Sequence, residues 1–308
     1  TATGARECNI NELDQRAAKL GYERVTEQVP VEGSAIDIFI LKPSGGQKSG
    51  LMPMIVWFHG GGMSIGSAAD TQVLFKPALG ILEHFQGKAV LASVDYRLAP
   101  KFQFPTGAED AIAATQWLQA RAEQFGCDPE LVCVAGSSSG GNLAAVVHQA
   151  ARDRDFPLRC AVMLSPMCRF DFATQSYIEN GKARTFNTAL MKWFWTNYCP
   201  NREEHMTDPR CEPIHGVGEG GLAPCLVSTN QFDVLRDEGF EYFEALRIAG
   251  VQAHHIRFQT SHMFPSADKA RLKEMLQWWS NALGLSHGCK NALELQEHAK
   301  QENPSLGG

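Results

Sequence analysis

Short apolar runs and longer amphipathic stretches alternate along most of this chain. Residues 54–58, 89–94, 131–135, 160–164, 225–229 and 253–258 have the length and side chains of strands. Residues 71–85, 108–125, 142–151, 238–249 and 266–283 read as helices between them. In 108–125, Ile112, Trp117, Leu118 and Ala122 fall on or near one face. Ahead of this rhythm, 7–20 suits a short helix carrying Leu13, Ala17 and Leu20, and 22–31 and 34–42 suit an antiparallel pair of strands. Residues 166–222 interrupt the alternation with a Trp- and Phe-rich helical piece at 188–198 and a turn-rich stretch ending in glycines. Residues 286–308 are polar and read as a surface extension.

Alternating strands and helices predict an α/β fold with a mostly parallel central sheet covered by helices on both faces. Functional residues on such a sheet lie at the carboxyl ends of its strands. The expected organisation is a core of 21–165 and 223–285 and a helical cap inserted at 166–222. Residues 1–20 form an N-terminal segment that could join the cap, and 286–308 form a C-terminal extension.

The strand at 131–135 runs into Gly136-Ser-Ser138-Ser-Gly140 and then a helix. Glycines two residues either side of a serine allow a strand-to-helix turn too tight for side chains. Ser138 is then lifted out at a strand end, beside free N–H groups of the helix start. A nucleophilic serine needs a base and a carboxylate to orient that base. Asp233 follows the strand at 225–229, and His262 follows the strand at 253–258. Both fall on the same sheet edge as Ser138. His254 and His255 lie mid-strand, one of them expected to face the core. His84 and His148 lie inside helices, and His205 and His215 inside the cap. Asp237 reads as the N-cap of the helix that begins near residue 238. The glycines of His59-Gly-Gly-Gly62 follow a buried strand, where N–H groups can approach a substrate oxygen. Gly61, Gly62 and the N–H of Ser139 are the candidate oxyanion donors, and His59 is expected to brace its loop.

Composition narrows the classes. The 308 residues carry a net charge of −6 and no basic stripe, which disfavours nucleic-acid binding. No apolar run approaches the length of a membrane span. The first residues do not read as a signal peptide, and because the chain does not open on Met, a removed leader stays open. Nine cysteines without a Cys-x-x-Cys favour free thiols and a reducing, cytoplasmic setting. A disulfide among Cys168, Cys199 and Cys211 is left open. The oligomeric state is likewise open, a homodimer included.

Five stretches, in order, now resemble one family. They are His59-Gly-Gly-Gly62, Asp95-Tyr-Arg-Leu-Ala-Pro100, Gly136-Ser-Ser-Ser-Gly-Gly-Asn142, Asp233-Val-Leu-Arg-Asp-Glu-Gly239 and His262-Met-Phe264. Together they resemble the hormone-sensitive-lipase-type branch of the α/β-hydrolases, which includes carboxylesterases and arylacetamide-deacetylase-like enzymes. The resemblance covers roughly residues 50–285. It implies an α/β-hydrolase fold and a serine carboxylesterase acting on small-molecule esters, with no metal or cofactor. It implies Ser138, Asp233 and His262 as the triad, Gly61, Gly62 and Ser139 as the oxyanion hole, and a structural role for the Asp95-Tyr-Arg turn. The chain departs from the family at Ser137 and Ser139, where an acidic residue and Ala are usual, and at Met63 and Met263. A dehydratase, cyclase or acyltransferase reusing the triad on a bulky scaffold is the alternative reading. A binding module is disfavoured by the complete set of triad residues.

Overall fold

The computed structural model describes residues 2–45, 50–70, 76–218, 220–262 and 267–285, with side chains from residue 9 onward and from residue 77 in the third segment. Residues 71–75, Met263, Phe264, 286–308 and the thiols of Cys8 and Cys289 lie outside the described residues.

The chain opens with helix α1 (Ala2–Lys19) and the hairpin β1 (Tyr22–Val31) and β2 (Ser34–Pro43). Then come β3 (Met52–Phe58), α2 (Lys76–Phe85), β4 (Val90–Val94), α3 (Thr106–Gln119), β5 (Cys127–Ser137), α4 (Ser139–Asp153) and β6 (Cys160–Leu164). Helices α5 (Gln175–Asn180), α6 (Thr188–Tyr198) and α7 (Arg202–His205) separate β6 from β7 (Cys225–Phe232). The described chain closes with α8 (Arg236–Ile248), β8 (Ala253–Ser261) and α9 (Lys269–Ala282).

Eight strands form one sheet in the order β1-β2-β4-β3-β5-β6-β7-β8. β2 runs antiparallel to β1 and β4, and the pairs from β4 through β3 to β8 are parallel. The α/β architecture is therefore the one expected. The central strands are apolar on both faces because helices cover both. Val56, Phe58, Val134 and Met163 face a cluster shared with α3 and α4. Ile55, Trp57, Cys133 and Val162 face one shared with α2 and α9. From Ile10 onward α1 packs with this second cluster, through Leu13 and Ala17, whereas Phe194 and Trp195 of the β6–β7 segment pack with the first.

Successive strands leave β3 in opposite directions, β4 to one side and β5 to the other. Such a reversal opens a crevice beyond the strands' carboxyl ends. The loops after β3 and β5 are its walls, and they carry Gly60, Gly61, Gly62 and Ser138.

Some boundaries move for tertiary reasons. The helix expected over 108–125 ends at Gln119, and a single 3-10 turn at Ala122–Phe125 follows. Gly126, at φ 74°, then swings the chain into β5. β7 and β8 outrun their apolar cores because they pair with each other as far as Phe232 and Ser261. Neither His254 nor His255 points into the core. β8 is an edge strand, so His254 reaches Glu274 at 3.5 Å and His255 bonds Thr229 Oγ1 at 3.0 Å. Cys168, Cys199 and Cys211 are buried free thiols, not a disulfide. No helix among the described residues is long and apolar enough to cross a membrane.

His148 is buried in α4, with Nε2 against the Ala223 carbonyl at 2.9 Å. Burial, with a smaller contribution from Arg152, lowers its pKa from 6.5 to about 4. The unfolded chain therefore takes up a proton as pH falls below 6.5, and the folded chain resists until about 4. Stability is full above that window and lost through it, by about 3 kcal/mol from this group. Urea unfolding between pH 7 and 4.5 should show a shallower loss for His148→Gln than for the wild type; parallel curves would contradict it.

Candidate active site

The crevice depends on glycine. A Cβ on Gly140 would stand 2.0 Å from the Phe58 carbonyl oxygen, and one on Gly136 would stand 2.1 Å from the Gly140 oxygen. With no side chain in the way, the turn from β5 to α4 closes directly against the end of β3. Ser138 sits at its apex with φ 59° and ψ −118°, a strained conformation for a residue with a Cβ. The surrounding backbone fixes it there. Its N–H donates to the Leu164 carbonyl at 2.8 Å, and its own carbonyl accepts from Met167 N at 3.2 Å. Asn142 adds a second tie, donating to the Met167 and Cys211 carbonyls at 2.8 and 3.0 Å. The Ser138 hydroxyl makes no capping bond to α4.

The loop after β3 forms the facing wall. Gly61 and Gly62 adopt φ 114° and 59°, conformations that glycine reaches without strain. A Cβ on Gly62 would overlap the Phe194 ring at 2.0 Å, so α6 seats directly on this loop. His59 braces the loop, as expected. Its Nδ1 lies 2.6 Å from the Gly60 carbonyl, its ring stacks on Tyr96 at 4.4 Å, and the Tyr96 hydroxyl donates to the His59 carbonyl at 2.7 Å. Burial pushes the His59 pKa down. Ser139 opens α4, so its N–H is among those left without an intrahelical acceptor.

Asp233 and His262 directly follow β7 and β8. His262 Nδ1 lies 2.6 Å from Asp233 Oδ2. A carboxylate accepts, so this assigns the proton to Nδ1 and leaves Nε2 as the basic nitrogen. The other Asp233 oxygen accepts the Leu235 N–H at 3.0 Å. Asn230 donates to Ser165 Oγ at 2.8 Å and stands 3.5 Å from Asp233 Oδ2, linking the ends of β6 and β7. Asp233 and His262 are thus brought together. Ser138 and His262 share no hydrogen bond, although such bonds often tighten only with substrate in place.

Other residues were less visible from the sequence. Asp237 is not an N-cap: α8 begins at Arg236, with Leu235 at the cap. The Asp237 carboxylate accepts the Ser176 N–H at 2.6 Å, and Ser176 Oγ donates to the Val234 carbonyl at 2.6 Å. These bonds stitch α5 to the Asp233 loop. Glu238, fully buried, accepts the Cys168 N–H at 2.8 Å. Burial, with the nearby Asp233 charge adding to it, pushes its pKa well up. Phe186 lies flat on the His262 ring, centroids 3.8 Å apart and planes 1° apart. Only an aromatic-rich insertion between the β6 and β7 runs hints at that contact in the sequence. The Asp95-Tyr-Arg turn is structural: Asp95 accepts the Ala68 N–H at 2.9 Å, and Arg97 pairs with buried Asp110 at 2.6 Å. Among the described residues no group of three or more His, Cys, Asp and Glu is placed to hold a metal ion.

Known proteins share this fold. Residues 55–265 match the family described as having the alpha/beta hydrolase fold. The carboxylic ester hydrolase LipN of Mycobacterium tuberculosis is 38% identical over 216 residues, which are 68% of this chain and 55% of that protein. Carboxylesterase NlhH of the same species is 36% identical over 205 residues, 65% of this chain and 62% of that one. The chain therefore spans little more than half the length of these relatives. The crystal structure of EstE1, a thermophilic carboxylesterase from a metagenomic library, superposes with a TM-score of 0.75 at 31% identity, covering 94% of this chain and 98% of that one.

Glu238 gives a pH signature opposite in sign to that of His148. Below its ordinary value of 4.5 both folded and unfolded chains hold the proton. Above it the unfolded chain releases the proton and the folded chain keeps it, so stability falls as pH rises. Glu238→Gln keeps the carbonyl acceptor and cannot ionise. Its stability relative to the wild type should rise between pH 4.5 and pH 8 in urea unfolding; a constant difference across that range would contradict the account.

Proposed function

The chain belongs to the α/β-hydrolase family, in its hormone-sensitive-lipase-type branch, and we propose on that footing that it is a serine carboxylesterase hydrolysing small-molecule carboxylic esters. The observation that carries the reading is the 2.6 Å Asp233–His262 contact on the sheet edge that also holds the strained Ser138. The names of LipN, NlhH and EstE1, each an ester hydrolase or carboxylesterase, support hydrolysis over a dehydratase, cyclase or acyltransferase reaction.

The mechanism follows from the site. Ser138 Oγ attacks the ester carbonyl carbon, and its proton passes to His262 Nε2. The Asp233 carboxylate holds the ring by Nδ1 and offsets the positive charge that forms on it. The carbonyl oxygen gains negative charge and meets the N–H groups of Gly61, Gly62 and Ser139. The carbon–oxygen bond to the alcohol breaks, and the alcohol leaves with the proton from His262. Water then gives a proton to His262 and attacks the acyl carbon, releasing the acid and returning the proton to Ser138. Ser137 and Ser139 flank the nucleophile without disturbing this scheme, because residue 139 contributes its backbone N–H. The β6–β7 segment is a cap that closes over the crevice, and its aromatic rings favour an apolar acyl or alcohol group.

Ser138→Ala and His262→Ala should each lower kcat on p-nitrophenyl acetate by about three orders of magnitude or more. A fluorophosphonate should label the wild type at Ser138, located by peptide mass spectrometry. Near-wild-type turnover by Ser138→Ala would overturn the assignment.

A further inference from the structure

His262 is held on two sides. Asp233 grips its Nδ1 edge at 2.6 Å, and the Phe186 ring covers one face at 3.8 Å, tilted by only 1°. The two supports come from different parts of the chain. Asp233 closes β7, while Phe186 lies in the 181–187 segment between α5 and α6. That segment is anchored at both ends. Asn180 donates to the Asp233 carbonyl at 3.4 Å, and Asn187 caps α6 by accepting the Leu190 N–H at 2.9 Å. Phe186 is half-buried and packs against the cluster that holds Phe194 and Trp195. Its ring therefore packs on that cluster while it faces the imidazole.

A phenyl face carries the negative end of the ring quadrupole. It interacts weakly with a neutral imidazole and attracts an imidazolium within a few ångströms of its centroid. In the reaction proposed above, His262 gains positive charge as it takes the Ser138 proton. The stack is therefore stronger in the transition state than in the ground state, as a contribution to rate requires. It also restricts rotation of the ring about the Asp233 contact, which keeps Nε2 in one plane.

We propose that Phe186 is a positioning residue for His262, fixing the imidazole plane and stabilising the imidazolium formed as Ser138 attacks; this rests on the reading of Ser138, Asp233 and His262 as the reacting groups. The role is distinct from that of a pocket wall. A wall acts on the substrate, and its loss shows in KM and varies with acyl length. A partner of the imidazolium acts on every reaction in which Ser138 loses its proton, whatever the electrophile.

The test compares Phe186→Leu, which keeps apolar cover without the π face, with Phe186→Tyr, which keeps the face. Two readouts are taken: kcat and KM on p-nitrophenyl acetate, butyrate and octanoate, and the second-order rate of inactivation by diisopropyl fluorophosphate. In the inactivation Ser138 Oγ bonds to phosphorus, fluoride leaves, and the Ser138 proton passes to His262. Phe186→Leu should lower kcat on all three esters and the inactivation rate by a common factor of about ten, with KM within about twofold. Phe186→Tyr should stay within about twofold of the wild type on both readouts, which also reports on folding. Unchanged kcat and inactivation in Phe186→Leu would overturn the proposal, as would a loss confined to KM or graded by acyl length. Those results leave Ser138 labelled in the wild type; absence of that label would instead defeat the triad reading beneath it.

Discussion

The contact on which the rest of this structure depends is the approach of Gly140 to the carbonyl oxygen of Phe58. A methyl group at that position would stand 2.0 Å from the oxygen, well inside van der Waals contact, so the two strand ends meet only because one residue has no side chain. β3 and β5 are neighbours in the sheet, with Phe58 opposite Gly136. Their closeness sets the distance between the loop of glycines at 60–62 and the turn that carries Ser138. Were the ends pushed apart, that loop and that turn would part with them. The strained backbone of Ser138 is held by three elements it does not belong to: the Leu164 carbonyl, the Met167 N–H and, through Asn142, the Cys211 carbonyl. Strain of this kind persists only where the surroundings over-determine it.

From that contact the site extends sideways along the sheet. β5, β6, β7 and β8 are consecutive neighbours, and each contributes a polar group at its carboxyl end: Ser138, Ser165, Asn230 with Asp233, and His262. Hydrogen bonds join the last three ends directly. Buried carboxylates are costly unless satisfied. Asp233 meets that cost with an imidazole N–H and a backbone N–H. Glu238, in the first turn of α8, meets it by favouring its protonated form. The two acids are thus satisfied differently, Asp233 by partners on both oxygens and Glu238 by burial that favours its protonated form.

The sheet and the positions of Ser138, Asp233 and His262 at its edge are legible in the sequence, because glycine spacing and apolar runs are local signals. What is not legible depends on residues far apart in the chain. Asp237 looks like a helix cap because its partner, Ser176, lies 61 residues away. β7 looks shorter than it is because its last residues are held by pairing with β8, not by their own apolarity. The helix expected over 108–125 is cut by the need to turn at Gly126 into a strand whose start is set by pairing with Met52. Phe186 and Phe194 read as two aromatic residues among several, since nothing local says which of them meets His262 and which meets Gly62.

Those two aromatic contacts share an origin. Phe194 lies against Gly62, and Phe186 lies on His262; both belong to the one segment between β6 and β7. The β6–β7 segment thus meets the carboxyl edge of the sheet at two places, the loop after β3 and the imidazole after β8. Because both rings are carried on one stretch of chain, a displacement of that stretch as a unit would disturb both places at once.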